Sequence, residues 1–393
     1  MKLDEVATFI RGITFKPDDI VAIGIPGSVG CMRTKNVQTE LDLSDVWGIP
    51  ESLVKRDDQY LISGDILVSS ANSWNLVGKC CWVPTLPWPA TFGGFISVLR
   101  HNSTIIDPRY LFHWFSSSRT QATVRSFGQQ TTNISNLNVE RCSKMSIPLL
   151  PLPEQRRIAE ILDKADLLRA KRRSTITQLD TLVQSIFLDM FGDPVSNPKS
   201  WPNPSVGGVL TFQQYGPRFF NESYTEEGVR IVRITDLSEM GVLDFSSMPR
   251  LNVSNEDREK YCLRPGDLIF ARSGATVGKI ALIQSDSPPC IAGAYFITMR
   301  FDHRVDPRYA QAVLSSPSIR SIVATRSRQA AQQNFSGPGL RQLPMPCPPV
   351  ELQHEFVCRI EAIQRLKNGL LASLTQLNTL CASLQHSAFQ GEL

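Results

Sequence analysis

No two of the nine cysteines form a Cys-x-x-Cys pair, and the adjacent Cys80 and Cys81 have neither zinc-ligand nor redox-motif spacing. Their odd number and scatter fit free thiols in a reducing compartment. The five histidines, His101, His113, His303, His354 and His386, show no metal-ligand spacing. No stretch reaches the roughly 18 apolar residues of a membrane span, and the first residues, Met1 to Glu5, lack the apolar core of a signal peptide. The expected location is the cytoplasm. Charge is nearly balanced at +4, with a pI of about 8.6, which permits nucleic-acid binding without demanding it.

Catalytic constellations are also missing. Ser273 to Ile280 reads like a phosphate-binding loop, but Ser273 holds the first glycine position and Ile280 replaces the magnesium-binding hydroxyl. Ser73 to Cys80 fails in the same two places. Asn197-Pro198 and Asn203-Pro204 lack the second proline and the aromatic of an adenine-flipping loop, and they sit in a linker, Gly192 to Pro204, where Asn-Pro is ordinary turn chemistry. Acid pairs such as Asp18-Asp19 and Asp57-Asp58 read as solvated surface.

What the chain has is a duplication with a period of about 200 residues, far longer than a solenoid repeat. Gly64-Asp65-Ile66-Leu67-Val68 followed by Val77-Gly78-Lys79 returns as Gly266-Asp267-Leu268-Ile269-Phe270 and Val277-Gly278-Lys279. Asp-Pro-Arg-Tyr occurs at Asp107 to Tyr110 and again at Asp306 to Tyr309. Amide-rich segments with an Asn-x-Ser core follow, Gln129 to Ser135 and Gln332 to Ser336. Each copy closes on a Pro-rich, strand-like run, Ile147 to Pro153 and Leu343 to Pro349. Strands are expected at Ile66–Val68, Ile96–Leu99, Ile280–Ile283 and Phe296–Met299. Helices are expected from Pro108 and Pro307, since proline suits a first helical turn.

Two long proline-free segments carry heptad seams. One runs Ile158, Leu162, Ala165, Ile176, Leu179, Val183, Ile186, Met190; the other runs Phe356, Ile360, Ile363, Leu370, Leu374, Leu377, Cys381, Leu384, Ala388. A shift of 198 superimposes them and sets Arg169 on Lys367, so a cation interrupts both seams at one place. Each helix spans roughly 35 residues, about 50 Å. A one-sided seam of that length needs a partner, and the other copy is the obvious one. An antiparallel pair would set the two domains at opposite ends and act as a ruler, whereas a parallel pair would set them side by side. The seams alone choose neither.

Side chains suited to DNA cluster in three segments of each copy. The first comprises Arg33 and Lys35, matched by Arg230 and Arg233. The second comprises Asn72, Trp74, Asn75 and Lys79, matched by Arg272, Ser273 and Lys279. The third comprises Gln129, Gln130, Thr131 and Asn133, matched by Arg326, Arg328, Gln332, Gln333 and Asn334. Polar surface loops are the plain alternative for any single residue. Different side chains on a shared frame are what two readers of different half-sites need. An enzyme would require a cofactor domain, for which the two copies leave no chain; a scaffold that binds protein is the remaining alternative.

The run Ile147 to Ala159 resembles the start of the central conserved region of the specificity subunits of type I restriction–modification systems, and Met190-Phe191-Gly192-Asp193-Pro194 resembles its end. Ala388 to Leu393 is similar to that family's C-terminus, and Gly266 to Lys279 to its recognition-domain signature. In the first copy Ala71-Asn72-Ser73 stands where the second has Arg272-Ser273-Gly274. The resemblance implies an α+β chain with two tandem target-recognition domains, residues 1–150 and 193–348, and two long antiparallel coiled-coil helices, 151–192 and 349–393. It also implies a non-catalytic DNA-binding subunit that recognises a bipartite target with a non-specific spacer. Two methyltransferase subunits using S-adenosylmethionine, and restriction subunits using ATP and magnesium, would be its partners. No cofactor or metal is expected in this chain.

Overall fold

The computed structural model describes residues 1–102, 104–130, 134–219, 223–238, 241–327 and 334–390. They form two units: Met1–Ser174 with Leu371–Leu393, and Thr175–Leu370. Each unit repeats the same frame.

Unit one holds a four-stranded antiparallel sheet in the order Ala7–Arg11, Ile96–His101, Ile66–Ser69, Cys80–Trp82. Unit two has the same order in Leu210–Tyr215, Phe296–Phe301, Leu268–Ala271, Ile280–Leu282. The strand Ile66–Ser69 is buried throughout, and so is Leu268–Ala271. Side chains alternate across a strand, which makes each strand shared property of two cores. Ile66 and Val68 join the cluster around Tyr110, while Leu67 joins the one around Phe92. Leu268 and Phe270 join Tyr309, while Ile269 and Ala271 join Phe296. A second, three-stranded sheet repeats too: Trp47–Pro50, Ser28–Met32 and Ala90–Phe92 in unit one; Arg250–Leu251, Val229–Val232 and Cys290–Ala292 in unit two. Unit one also holds a small antiparallel ribbon of Ala71–Asn72, Ser135–Leu137 and Gly128–Gln130.

The expected helices begin at Pro108 and Pro307, capped by Asp107 and Asp306, whose carboxylates accept the second and third amides of their helices. The Pro-rich runs are not strands. One isolated bridge, Ser205 to Pro344, falls within the second run, and another, Lys2 to Ser146, lies just before the first. Prolines lack the N–H that a ladder requires.

The long helices are Leu152–Phe191 and Val350–Ala388, 40 and 39 residues, longer than expected. In unit one the start of the first packs on the end of the second: Ile158, Ala159 and Leu162 share a core with Ala388, Leu384 and Phe389. In unit two the end of the first packs on the start of the second, with Phe187 and Phe191 against Phe356. The helices therefore run antiparallel. Their seam residues Ile158, Leu162, Ile176, Leu179, Val183, Ile186, Phe356, Ile360, Ile363, Leu370, Leu374, Leu377 and Leu384 are all buried or half-buried. The two interrupting cations find partners across the seam. Arg169 Nε donates to Asn378 Oδ1 at 2.9 Å in unit one, and Lys367 Nζ donates to Asp180 Oδ1 at 2.5 Å in unit two. The same shift of 198 carries Arg169 to Lys367 and Asp180 to Asn378. Among the described residues no helix is long and apolar enough to cross a membrane.

Candidate nucleic-acid interface

The repeated motifs hold the frame. Gly64 and Gly266 take φ of 99° and 89°, which a side chain would oppose. The next residue, Asp65 or Asp267, is fully buried and receives an arginine in bidentate fashion. Arg100 Nε and Nη2 reach Asp65 at 2.8 and 2.7 Å; Arg300 Nε and Nη2 reach Asp267 at 2.8 and 2.9 Å. Tyr110 and Tyr309, at the ends of the Asp-Pro-Arg-Tyr motifs, donate their hydroxyls to the Pro148 and Pro346 carbonyls, both at 2.9 Å.

Each frame is bolted to a long helix by a glutamine that the sequence reasoning passed over. Buried Gln155 accepts the Asp107 amide at 2.8 Å and donates to the Leu150 carbonyl at 2.7 Å. Buried Gln353 accepts the Asp306 amide at 2.8 Å and donates to the Pro348 and Arg304 carbonyls, both at 2.9 Å. The recurrence of a glutamine 198 residues on was the available signal. A second tie joins Arg109 to Asp163, with Nε 2.9 Å from Oδ1, and Arg308 to Glu361. In unit one His113 Nε2 also meets Asp163, at 2.7 Å. Burial opposes ionisation of Asp163, but hydrogen bonds from His113 and Arg109 and the arginine charge outweigh it and hold its carboxyl down at about 2.

Several candidate readers turn out to be committed inside their own unit. The Arg33 guanidinium stacks 3.6 Å from the Trp47 ring centroid and donates to the Asp45 carbonyl at 2.8 Å. Lys35 pairs with Asp45 at 2.6 Å. Arg233 plays the matching part, bound to Asp236 through Nη2 at 2.7 Å and to the Ser247 carbonyl at 3.0 Å. Lys79 donates to Gln38 at 2.6 Å. Both amide ends of Asn72 are used locally: Nδ2 on Ser69 Oγ at 3.1 Å, and Oδ1 under the Ser73 amide at 2.8 Å. These groups fix the loops. Arg230 and Lys279 are half-buried.

Of the exposed candidates in unit one, Trp74 and Asn75 lie in the turn that follows the ribbon strand Ala71–Asn72, and Gln129 lies on the ribbon strand Gly128–Gln130, which also carries Gln130. A Cβ on Gly128 would stand 3.3 Å from the Trp74 ring, so Trp74 lies over that strand. In unit two Ser273 bridges to Asn334, and Arg272 Nε donates to Asn334 Oδ1 at 3.2 Å. The Arg272 guanidinium carbon also sits 4.7 Å from the Tyr215 ring centroid. Arg326 is exposed. Thr131, Asn133, Arg328, Gln332 and Gln333 lie outside the described residues.

Backbone hydrogen bonds correct the expected match between copies. The Ser70 amide donates to the Phe95 carbonyl, and the Arg272 amide to the Tyr295 carbonyl, both at 2.9 Å. The Leu137 amide donates to Ser70, and the Phe335 amide to Arg272, both at 2.8 Å. Arg272 therefore corresponds to Ser70, not to Asn72 or Ala71, and Asn334 to Asn136, not to Asn133. The loop that follows is two residues longer in unit one. Equivalence follows the buried ladder rather than the polar spelling of the loops. Phe95 and Tyr295, absent from the expected readers, occupy one frame position and are 65% and 58% exposed. Phe95, Ile134, Ala71, Asn72 and Ser73 line a hollow of about 300 Å³.

The phosphate-loop spelling at Ser273 has the wrong context: a 3-10 turn, Gly274–Thr276, leads into a strand, Ile280–Leu282, where a phosphate loop needs a helix N-terminus. A separate cavity of about 670 Å³ in unit one lies between Trp114, Phe127 and the end of the second long helix, away from the ribbon.

Residues 1–178 match the family model of the type I restriction modification DNA specificity domain. The chain is 26% identical to the EcoKI specificity subunit of Escherichia coli K12, over 99% of this chain and 87% of the relative. It is 24% identical to the StySPI specificity subunit of Salmonella potsdam, again over 99% and 87%. In fold it is similar to a solved chain from a study of complex assembly in a type I R-M system, with a TM-score of 0.59, 17% identity and coverage of 100% and 97%. The type I S subunit from M. genitalium gives a TM-score of 0.56 at 13% identity, covering 99% and 95%.

Proposed function

We propose that the chain is a specificity subunit of a type I restriction–modification system and that each unit reads one half of a bipartite DNA target, without catalysis of its own. One observation carries this reading: the same buried frame occurs twice, with different exposed side chains at the same edge. A second enzyme-like or scaffold-like use of the duplication would not require that difference.

On this reading the recognition domains span 1–150 and 193–348, and the antiparallel helices set the number of bases between the half-sites. Two methyltransferase subunits dock on the helices, and S-adenosylmethionine stays on them. ATP and magnesium belong to the restriction subunits. The complex works in the cytoplasm. Two docking places follow from the duplication. Exposed Leu168 and Leu380 flank the Arg169–Asn378 pair, and exposed Leu182 and Leu366 flank Lys367–Asp180, related by the shift of 198.

Removing seven residues from each helix tests the reading. One heptad is about 10 Å of helix, close to three base pairs at about 3.4 Å each. Mapping methylated adenines in a host that carries the shortened chain should show both half-sites unchanged and the spacer shorter by about three bases. An unchanged spacer would remove the ruler.

A further inference from the structure

We infer that the two units read chemically different base edges at one shared frame position: unit one a thymine methyl through Phe95, unit two a guanine through Arg272. The inference rests on the DNA-reading role just proposed. Phe95 and Tyr295 are anchored identically, each carbonyl accepting the amide that starts the variable loop at 2.9 Å. What stands beside them differs.

In unit one the residue at the loop start is Ser70, and Asn72 has both ends of its amide occupied. Among the described residues no charged side chain lines the hollow beside Phe95; Ile134 and Ala71 supply its apolar wall. In the major groove the one apolar feature of a base edge is the thymine C5-methyl, and a hollow of about 300 Å³ walled by Phe95, Ile134 and Ala71 suits it. In unit two the loop start is Arg272. Its guanidinium plane is set from two sides, by the Tyr215 ring at 4.7 Å and by the Nε bond to Asn334 at 3.2 Å. A fixed planar fork is what bidentate contact to guanine O6 and N7 requires.

Base analogues test this on the full chain assembled with its methyltransferase subunits. The duplex carries the bipartite target obtained by methylation mapping, with one base changed at a time. Replacing one thymine by deoxyuridine in the half-site read by unit one should weaken binding about fourfold, the affinity equivalent of one buried methyl group. Phe95→Ala should abolish that sensitivity while unit two's half-site is still read. In the other half-site one 7-deazaguanine, which lacks N7, should weaken binding about fivefold or more, given about 1–3 kcal/mol for a bidentate contact. Arg272→Ala should erase that effect, and Arg272→Lys should not restore it. Tolerance of every deoxyuridine in unit one's half-site by the unaltered complex, or undiminished sensitivity in Phe95→Ala, overturns the thymine assignment. The guanine assignment falls by the same outcomes with 7-deazaguanine and Arg272→Ala. Loss of all preference for the split target over a scrambled duplex would instead defeat the DNA-reading role itself.

Discussion

Unit one and unit two share the buried ties that hold each frame and part company along the edge that meets solvent. The Gly-Asp turns, the Asp65–Arg100 and Asp267–Arg300 pairs, the tyrosine hydroxyl bonds and the glutamine bolts recur with bond lengths matching to within 0.2 Å. Among the described residues the exposed edge carries different side chains: unit one presents Trp74, Phe95 and Gln129, and unit two presents Arg272, Tyr295 and Arg326. A buried polar group without its partner costs more free energy than most surface changes, which holds the frame constant. The exposed edge answers only to what it touches. On the proposed reading, that difference between the units is what gives each its own half-site.

The comparison breaks most visibly at the buried ion pairs. Asp65→Ala and Asp267→Ala each leave an arginine facing an apolar interior, so each should cost about 3 kcal/mol in denaturant unfolding. Similar costs in both units support a common frame; a large cost in one alone would show that the duplicated motif does unequal work. Next in size come the bolts. Gln155→Ala and Gln353→Ala strand a buried amide and two carbonyls, and each should cost about 2 kcal/mol.

Smaller effects sharpen the contrast within the seam. A double-mutant cycle on Lys367 and Asp180 should give a coupling of about 1 kcal/mol that shrinks with salt, and the cycle on Arg169 and Asn378 a smaller, salt-insensitive one. Equal salt dependence would mean that the neutral asparagine is not the working partner. The smallest signal belongs to unit one alone. Asp163 is held at about 2, below its ordinary value of 3.8, by His113 and Arg109. A depressed carboxyl stabilises the fold above its unfolded value, and that contribution is lost as pH falls towards about 2. Arg109 lies 4.5 Å from the Trp82 ring centroid, so Trp82 fluorescence should change between about pH 4 and pH 2. Asp163→Asn should flatten that response.

Much of the architecture was legible because periodicity and repetition are written in residue types. The seam residues needed only spacing, and Pro108 and Pro307 marked their helix starts because proline fits a first turn. The antiparallel direction was not legible, since a heptad seam reads alike either way; the packing of Ile158 and Leu162 with Leu384 and Ala388, and of Phe187 with Phe356, decides it. The Pro-rich runs misled because extended propensity without an N–H cannot make a ladder. The site was harder still. Arg33, Arg233 and Asn72 have the side chains of readers, yet three-dimensional neighbours claim them. Phe95 carries no polar group and Tyr295 only a hydroxyl, and their shared frame position and exposure are what single them out. Polar spelling also placed Arg272 opposite Asn72, because a two-residue difference in loop length is invisible until hydrogen bonds define the frame.

The most direct measurement replaces residues 128–135 of unit one by an unrelated polar loop and maps methylated adenines in a host carrying the altered chain. Two independent heads on one frame predict a new or relaxed first half-site, with the second half-site and the spacer intact. Changed bases in both half-sites would contradict the separation of the two readers.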